Sequence, residues 1–210
     1  MVYIMFVRHP ETEGNADKKI IWSADIPLSK KWENDVSLLI QHVQNHIPNR
    51  TKPVNIFTNT LQRCWIVASQ CRETLELLDF RQWVYQIEPN LLERDFGILH
   101  NKTKREIFEL FSDYKDNFDI LLMQEGLGFE STQQVRKRVE KAIYKIKTYY
   151  PNDNNIIFSN SSVWRSIISI LLNHQEEDFE RLHNNGPRNC EIRERTSDNK
   201  NTIKRTALLV

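Results

Sequence analysis

The chain has 210 residues, with 29 basic against 28 acidic side chains and a formal net charge of +1. No global field therefore draws it to nucleic acid or to an anionic membrane, and any anion site must be local. That length suits one sizeable α/β core and is short for two, so a single domain over residues 1–210 is expected. The opening Met1-Val2-Tyr3-Ile4 lacks the basic region and cleavage pattern of a signal peptide, and no apolar run approaches the length of a bilayer span. A soluble, cytoplasmic protein is expected. Cys64, Cys71 and Cys190 are odd in number and show no metal-ligand spacing, so they read as reduced packing residues.

The apolar run Val2 to Val7 reads as a buried strand, so Arg8-His9-Pro10-Glu11-Thr12, with Asn15 shortly after, should emerge at its carboxyl end. Ligands of open α/β sheets bind in the crevice beyond such strand ends. Ser29 is placed to cap a helix on which Trp32, Val36, Leu39, Ile40, Val43 and Ile47 recur at spacings of three and four. Val54 to Thr58 is a second short strand, and Thr60 is placed to cap a helix carrying Leu61, Cys64, Trp65, Ala68, Leu75 and Leu78. Trp83 to Ile87 is a third strand. Thr103 with Glu106, and Ser131 with Gln134, have the spacing of capping boxes, the second opening a helix through Val135, Val139, Ile143 and Ile146. Ile156-Ile157-Phe158 reads as a strand buried on both faces, followed by a helix through Ile167, Ile168, Leu171 and Leu172. Cys190 to Glu194 and Ala207 to Val210 are candidates for antiparallel edge strands, and the charged stretch Arg195 to Arg205 between them reads as a mobile loop. The alternation predicts an α/β fold: a three-layer sandwich with a mostly parallel central sheet and helices on both faces.

Polar groups recur where these strands end. A neutral imidazole is a good nucleophile toward phosphorus, and an adjacent arginine clamps phosphate oxygens while lowering the imidazole pKa. The bland reading of Arg8-His9 is a strand-end pair facing solvent. Arg63 falls in the first turn of its helix, where a cation opposes the dipole and so calls for an anionic partner. Glu93, after the third strand, is placed to protonate a leaving alkoxide and then to activate water, although most such glutamates are merely solvated. Ser159-Asn160-Ser161-Ser162 joins a buried strand to a helix, whose N-H groups and dipole make an anion site.

Together these segments resemble the histidine phosphatase superfamily, the phosphoglycerate-mutase-like group, over essentially the whole chain. Arg8-His9 with Thr12 and Asn15 resembles the opening Arg-His-Gly motif, and Asp25-Ile26-Pro27-Leu28-Ser29 the Asp-x-Pro-Leu-Ser/Thr turn. Leu61-Gln62-Arg63 with Ala68 resembles the second arginine motif, and Glu93 with Phe96-Gly97 the acid motif. Glu130-Ser131 with Arg138-Val139 resembles the Gly-Glu-Ser helix start, and Asn189-Cys190 the late Asn-Cys/Ala segment. The resemblance implies that His9 is the nucleophile, that Arg8 and Arg63 hold the phosphoryl oxygens, and that Glu93 is general acid and then base. It further implies that Thr12 and Asn15 line the mouth of the site and that no cofactor or metal is needed; Trp22, as a flat apolar wall, and Ser161 are expected to contact substrate where the chain departs from the family's glycines. For Glu130 two readings stay open, orienting the nucleophile loop or belonging only to the first turn of its helix.

The chain departs from that pattern at Asn160, which stands where the family has a second histidine. Asparagine donates through its amide but stays neutral, and losing one charge-assisted donor to a transition state costs on the order of 2 to 4 kcal/mol. Pro10 replaces the glycine after the nucleophile, and Trp22, Trp32, Asn101 and Ser161 stand at further glycine positions. The other histidines, at 42, 46, 100, 174 and 183, read as core or surface residues. Between the acid motif and the Gly-Glu-Ser helix, Phe108 to Phe129 carries Lys115 among Tyr114, Phe118, Leu121, Leu122 and Met123. That composition favours an apolar or mixed cap over a second anion clamp, hence a phosphomonoesterase over a mutase. The expected function is hydrolysis of a small phosphorylated metabolite through phosphohistidine at His9. The alternative is a catalytically impaired phosphoester-binding or partner-binding protein, with Asn160 natural or introduced. Expected partners are a phosphorylated substrate or inorganic phosphate, with no nucleic acid or membrane; a homodimer stays open.

Overall fold

Strands that are apolar on both sides must be covered on both sides, and three segments of this chain meet that condition. The computed structural model describes residues 3–13, 19–20, 25–30, 32–78, 82–114, 117–172, 192–195 and 203–206. Strands β1 (Tyr3–Arg8), β2 (Val54–Thr58) and β4 (Asn154–Ser159) are buried along almost their whole lengths. With β3 (Gln82–Ile87) they form a parallel sheet in the order β3-β2-β4-β1. β5 (Ile192–Arg195) and β6 (Ile203–Thr206) extend it antiparallel beyond β1.

Alternate strand residues feed two cores, as the twofold period of a strand requires. Met5, Val7, Ile56 and Phe158 meet helices α1 (Trp32–His46) and α2 (Gln62–Leu77) on one face. Ile4, Phe6, Phe57 and Ile157 meet α5 (Thr132–Tyr149) and α6 (Ser161–Leu172) on the other. The fold is thus the expected α/β sandwich with a mostly parallel sheet between helical layers. Among the described residues no helix is long and apolar enough to cross a membrane.

A third, smaller core belongs to the segment between β3 and α5. Leu99, Ile107, Leu121, Leu122 and Phe129 are buried together, from a 3-10 turn (Gly97–Leu99), α3 (Lys104–Leu110), α4 (Phe118–Met123) and the loop before α5. Phe111 meets Phe129 edge-on at 6.4 Å, and Phe108 meets Phe118 likewise. The apolar composition of residues 108–129 therefore fills this segment's own interior. Lys115 lies outside the described residues.

Both capping boxes form, at Thr103 with Glu106 and at Ser131 with Gln134. Two expected caps do not. The N-H of Trp32 donates to the Ser29 backbone oxygen at 3.0 Å, while the buried Ser29 hydroxyl has no hydrogen-bond partner among the described residues. At α2 the cap position is Leu61 rather than Thr60, and Asn59 Oδ1 accepts the Leu61 N-H at 3.0 Å. Asn59 reaches there because an asparagine side chain bonds its own backbone two residues on. The expected loop Arg195 to Arg205 is corrected in part: Ile203–Thr206 pairs with Ile192–Arg195. An edge strand tolerates lysine and arginine, so charge alone did not mark a loop there. Ala207 to Val210 lies outside the described residues.

Gly97 ties the small core to the segment carrying Glu93. Its φ is +41°, and a Cβ there would overlap the carbonyl oxygen of Gly128, which accepts the Ile98 N-H at 3.2 Å. Gly97→Ala is expected to destabilise the protein by about 1–3 kcal/mol, since both backbone conformation and packing must give. Urea unfolding measures this, and an unchanged midpoint refutes it.

Candidate active site

Parallel strands all point their carboxyl ends to the same rim of the sheet, and the loops there carry the polar residues of the chain. The register pairs Arg8 of β1 with Ser159 of β4, and the N-H of His9 donates to the Ser159 carbonyl at 3.3 Å. His9 and Asn160 consequently leave adjacent strand ends. Both are buried, as are Arg63 and Glu93.

The His9 ring has a defined tautomer. Its Nδ1 lies 2.6 Å from the Pro10 carbonyl oxygen, and a carbonyl only accepts, so Nδ1 carries the hydrogen. Burial, then the Arg63 and Arg8 guanidiniums, hold the imidazole well below the usual histidine range, against the opposing Pro10 bond. The ring is therefore neutral near pH 7, with Nε2 bearing a free lone pair. Proline at residue 10 lacks a donor, but its carbonyl holds the His9 ring without one.

Arg63 is 3% exposed although it lies in the first turn of a helix. Its Nε donates to Asn160 Oδ1 at 3.0 Å. That bond turns the Asn160 amide so that Nδ2, also buried, has no partner among the described residues. A neutral donor is thus left over beside two cations. The Cys64 thiol shares this pocket floor: burial pushes it up to about 12, with smaller opposing effects from Arg63, Asn59 and Asn160. Cys64 and Cys71 are free and buried, as packing residues should be; Cys190 lies outside the described residues.

Glu93 follows a 3-10 turn (Pro89–Leu91) that is wired to the strand ends. Ser159 Oγ donates to the Leu91 carbonyl at 2.7 Å, and Asn59 Nδ2 donates to the same oxygen at 2.8 Å. Glu93 Oε1 accepts the Arg94 N-H at 2.8 Å. Of the two readings of Glu130, neither describes its contacts. It sits just before the Ser131 cap and accepts from Arg138 through both carboxylate oxygens, at 2.7 and 2.9 Å, while Oε2 also accepts the Asp95 N-H at 3.1 Å. The loop it grips is that of Glu93.

Arg94 is buried and Arg165 half-buried, and neither lies at a strand end where the sequence marks a site residue. Arg94 donates to the Leu122 carbonyl and to Thr132 Oγ1, and burial followed by repulsion from Arg165 brings its pKa down to about 10. Burial likewise lowers Arg165, which Asp119 and Glu93 oppose. The available signal was an arginine within the otherwise apolar helix Val163-Trp164-Arg165-Ser166-Ile167. Thr12 is buried and bridges to Leu28, and Ser161 is the half-buried first residue of α6. Asn15, Trp22, Asn189, His174 and His183 lie outside the described residues. Among the described residues no group of three or more His, Cys, Asp or Glu side chains is placed to hold a metal ion.

A buried neutral histidine flanked by two arginines, a carboxyl group and a helix start is suited to phosphoryl transfer. Comparison with known proteins agrees on the family. The model of the histidine phosphatase superfamily (branch 1) matches residues 4–207. Phosphoglycerate mutase-like protein 4 of Arabidopsis thaliana is 25% identical over 175 residues, covering 78% of this chain and 68% of that protein. The structure of Bacillus stearothermophilus YhfR superposes with a TM-score of 0.74 at 18% identity, covering 98% of this chain and 95% of that one. Mycobacterial glucosyl-3-phosphoglycerate phosphatase superposes with a TM-score of 0.71 at 15% identity, covering 92% and 89%. With the strand that ends at His9, with Arg8 and Arg63, and with the loop of Glu93 all inside the matched span, the chain belongs to the histidine phosphatase superfamily, branch 1.

Proposed function

We propose that this protein is a phosphomonoesterase that hydrolyses a small phosphorylated metabolite through phosphohistidine at His9. The observation that carries the reading is the tautomer of His9, neutral and held by Pro10 so that Nε2 is the free nitrogen. In the first step Nε2 attacks phosphorus in line, the P–N bond forms, the P–O bond to the alcohol breaks, and Glu93 gives its proton to the departing oxygen. In the second step the Glu93 carboxylate takes a proton from water, the water oxygen attacks phosphorus, and the P–N bond breaks to release inorganic phosphate. Arg8 and Arg63 neutralise the charge on the equatorial oxygens, and the Asn160 amide donates one uncharged hydrogen bond.

The family's phosphatases and mutases share this first step. The described aromatic side chains between α3 and α5 pack in a core of their own, which supports the apolar cap of a hydrolase over a mutase. A second reading, a phosphoester-binding protein with little turnover, rests on Asn160, because its Oδ1 engages Arg63 and brings no charge to the pocket.

Hydrolysis of p-nitrophenyl phosphate and a panel of metabolite phosphates separates the two. The phosphatase reading expects measurable turnover, abolished in His9→Ala together with the phosphohistidine trapped by an alkaline quench. Asn160→His is expected to raise the rate roughly a hundredfold by restoring a charged donor. Phosphate binding without turnover in this protein, with turnover appearing only in Asn160→His, selects the second reading.

The depressed pKa of His9 also makes stability depend on pH. The unfolded chain takes up a proton near pH 6.5 while the folded one resists it, so this contribution is present above that pH and lost as the pH falls. Between pH 7 and 5 the protein is expected to lose stability relative to His9→Asn, by at most about 1.4 kcal/mol per pH unit. Parallel urea curves for the two proteins at every pH refute it.

A further inference from the structure

The segment bearing Glu93 has little regular structure of its own. Between the end of β3 and α3 lie only two short 3-10 turns, and Glu93 falls between them. A carboxyl group that must meet a leaving oxygen within hydrogen-bond distance needs its backbone held from outside. Arg138, eight residues along from Glu130 and on the first half of α5, does this holding. Its Nη1 donates to the carbonyls of Asn90 and Leu92 at 2.8 and 2.7 Å, and its Nη2 to the carbonyl of Glu93 itself at 3.2 Å. Glu130 receives Nε and Nη2 of the same guanidinium at 2.7 and 2.9 Å, and is tied to the loop twice more. The Asp95 N-H donates to its Oε2 at 3.1 Å, and its own N-H donates to the Asp95 carbonyl at 2.7 Å.

One planar fork thus gathers three carbonyls of the loop backbone, those of residues 90, 92 and 93, while its counterion fixes the residue two past Glu93. A lysine presents a point charge and cannot span these acceptors in one plane. The pair is not deeply buried: the Arg138 and Glu130 side chains retain 19% and 17% exposure and line a surface cleft of about 530 Å³. Water can therefore solvate what a substitution leaves behind, which separates loop placement from global folding.

We propose that Arg138, held by Glu130, is a positioning residue that sets where the Glu93 carboxyl group stands relative to the leaving oxygen. The proposal rests on the reading of Glu93 as general acid. None of the hydrogen bonds of Arg138 reaches His9; it acts through the backbone of residues 90–93 and, by way of Glu130, through Asp95.

Leaving-group dependence tests it. A poor leaving group such as the alkoxide of β-glycerol phosphate needs the proton, whereas p-nitrophenolate departs largely without it. Arg138→Met and Glu130→Gln are expected to lower kcat/KM, which reports the first phosphoryl transfer alone, at least about tenfold more for β-glycerol phosphate than for p-nitrophenyl phosphate. Arg138→Lys should fall between, and amide hydrogen exchange should quicken in residues 90–97 but not in α5. Equal losses on both substrates, or unchanged exchange in 90–97, overturn the proposal. Glu93→Gln is the control that keeps the two claims apart. It should show the same selective loss; if it loses both substrates equally, the acid assignment fails first and the positioning role falls with it for that separate reason.

Discussion

The parallel pairing of β1 with β4 is the contact on which the site depends. Six successive residues of each strand are in register, both strands are covered on both faces, and the ladder ends on Arg8 opposite Ser159. One residue further along, His9 and Asn160 must emerge side by side. A slip of one residue would turn every side chain of β1 to the opposite core and carry His9 away from Arg63. Phe6, packed against Trp164 at 4.9 Å, and Met5 on the opposite face make such a slip costly.

From that ladder the pocket is assembled by short polar links rather than by further strands. Ser159 and Asn59 converge on the Leu91 carbonyl, bringing the loop after β3 over the strand ends. Arg138 and Glu130 then fix the stretch that follows. These bonds satisfy backbone groups that would otherwise be buried without partners, so they stabilise the protein and shape the site at once. The neutral state of His9 has the same double character. Burial and two guanidiniums suppress its protonation, which suits a nucleophile and makes the fold sensitive to acid.

Asn160 joins the pocket without adding charge to it. It occupies the head of α6, with the Trp164 N-H donating to its carbonyl at 3.1 Å, and its side chain meets Arg63. The neutral amide leaves Arg63 and Arg8 as the cations that act on the His9 ring.

Much of this was legible in the chain because it is local. The apolar runs of β1, β2 and β4, the helical spacings of α1 and α5 and both capping boxes are set by side chains close in sequence, which is why they can be read there. Arg8, His9, Arg63, Glu93 and Asn160 were legible as strand-end residues for the same reason. Other features depended on neighbours that only folding supplies. The turn before α2 is closed by Asn59 on the Leu61 N-H rather than by a Thr60 cap, and Ile203–Thr206 is a strand because β5 lies beside it. The partner of Glu130 is the Glu93 loop because α5 crosses beneath it. The sequence by itself determined which groups exist for chemistry and which strand ends carry them. The tertiary structure decided the His9 tautomer, the turn of the Asn160 amide and the grip of Arg138, because each is a hydrogen bond whose geometry depends on how the segments are brought together.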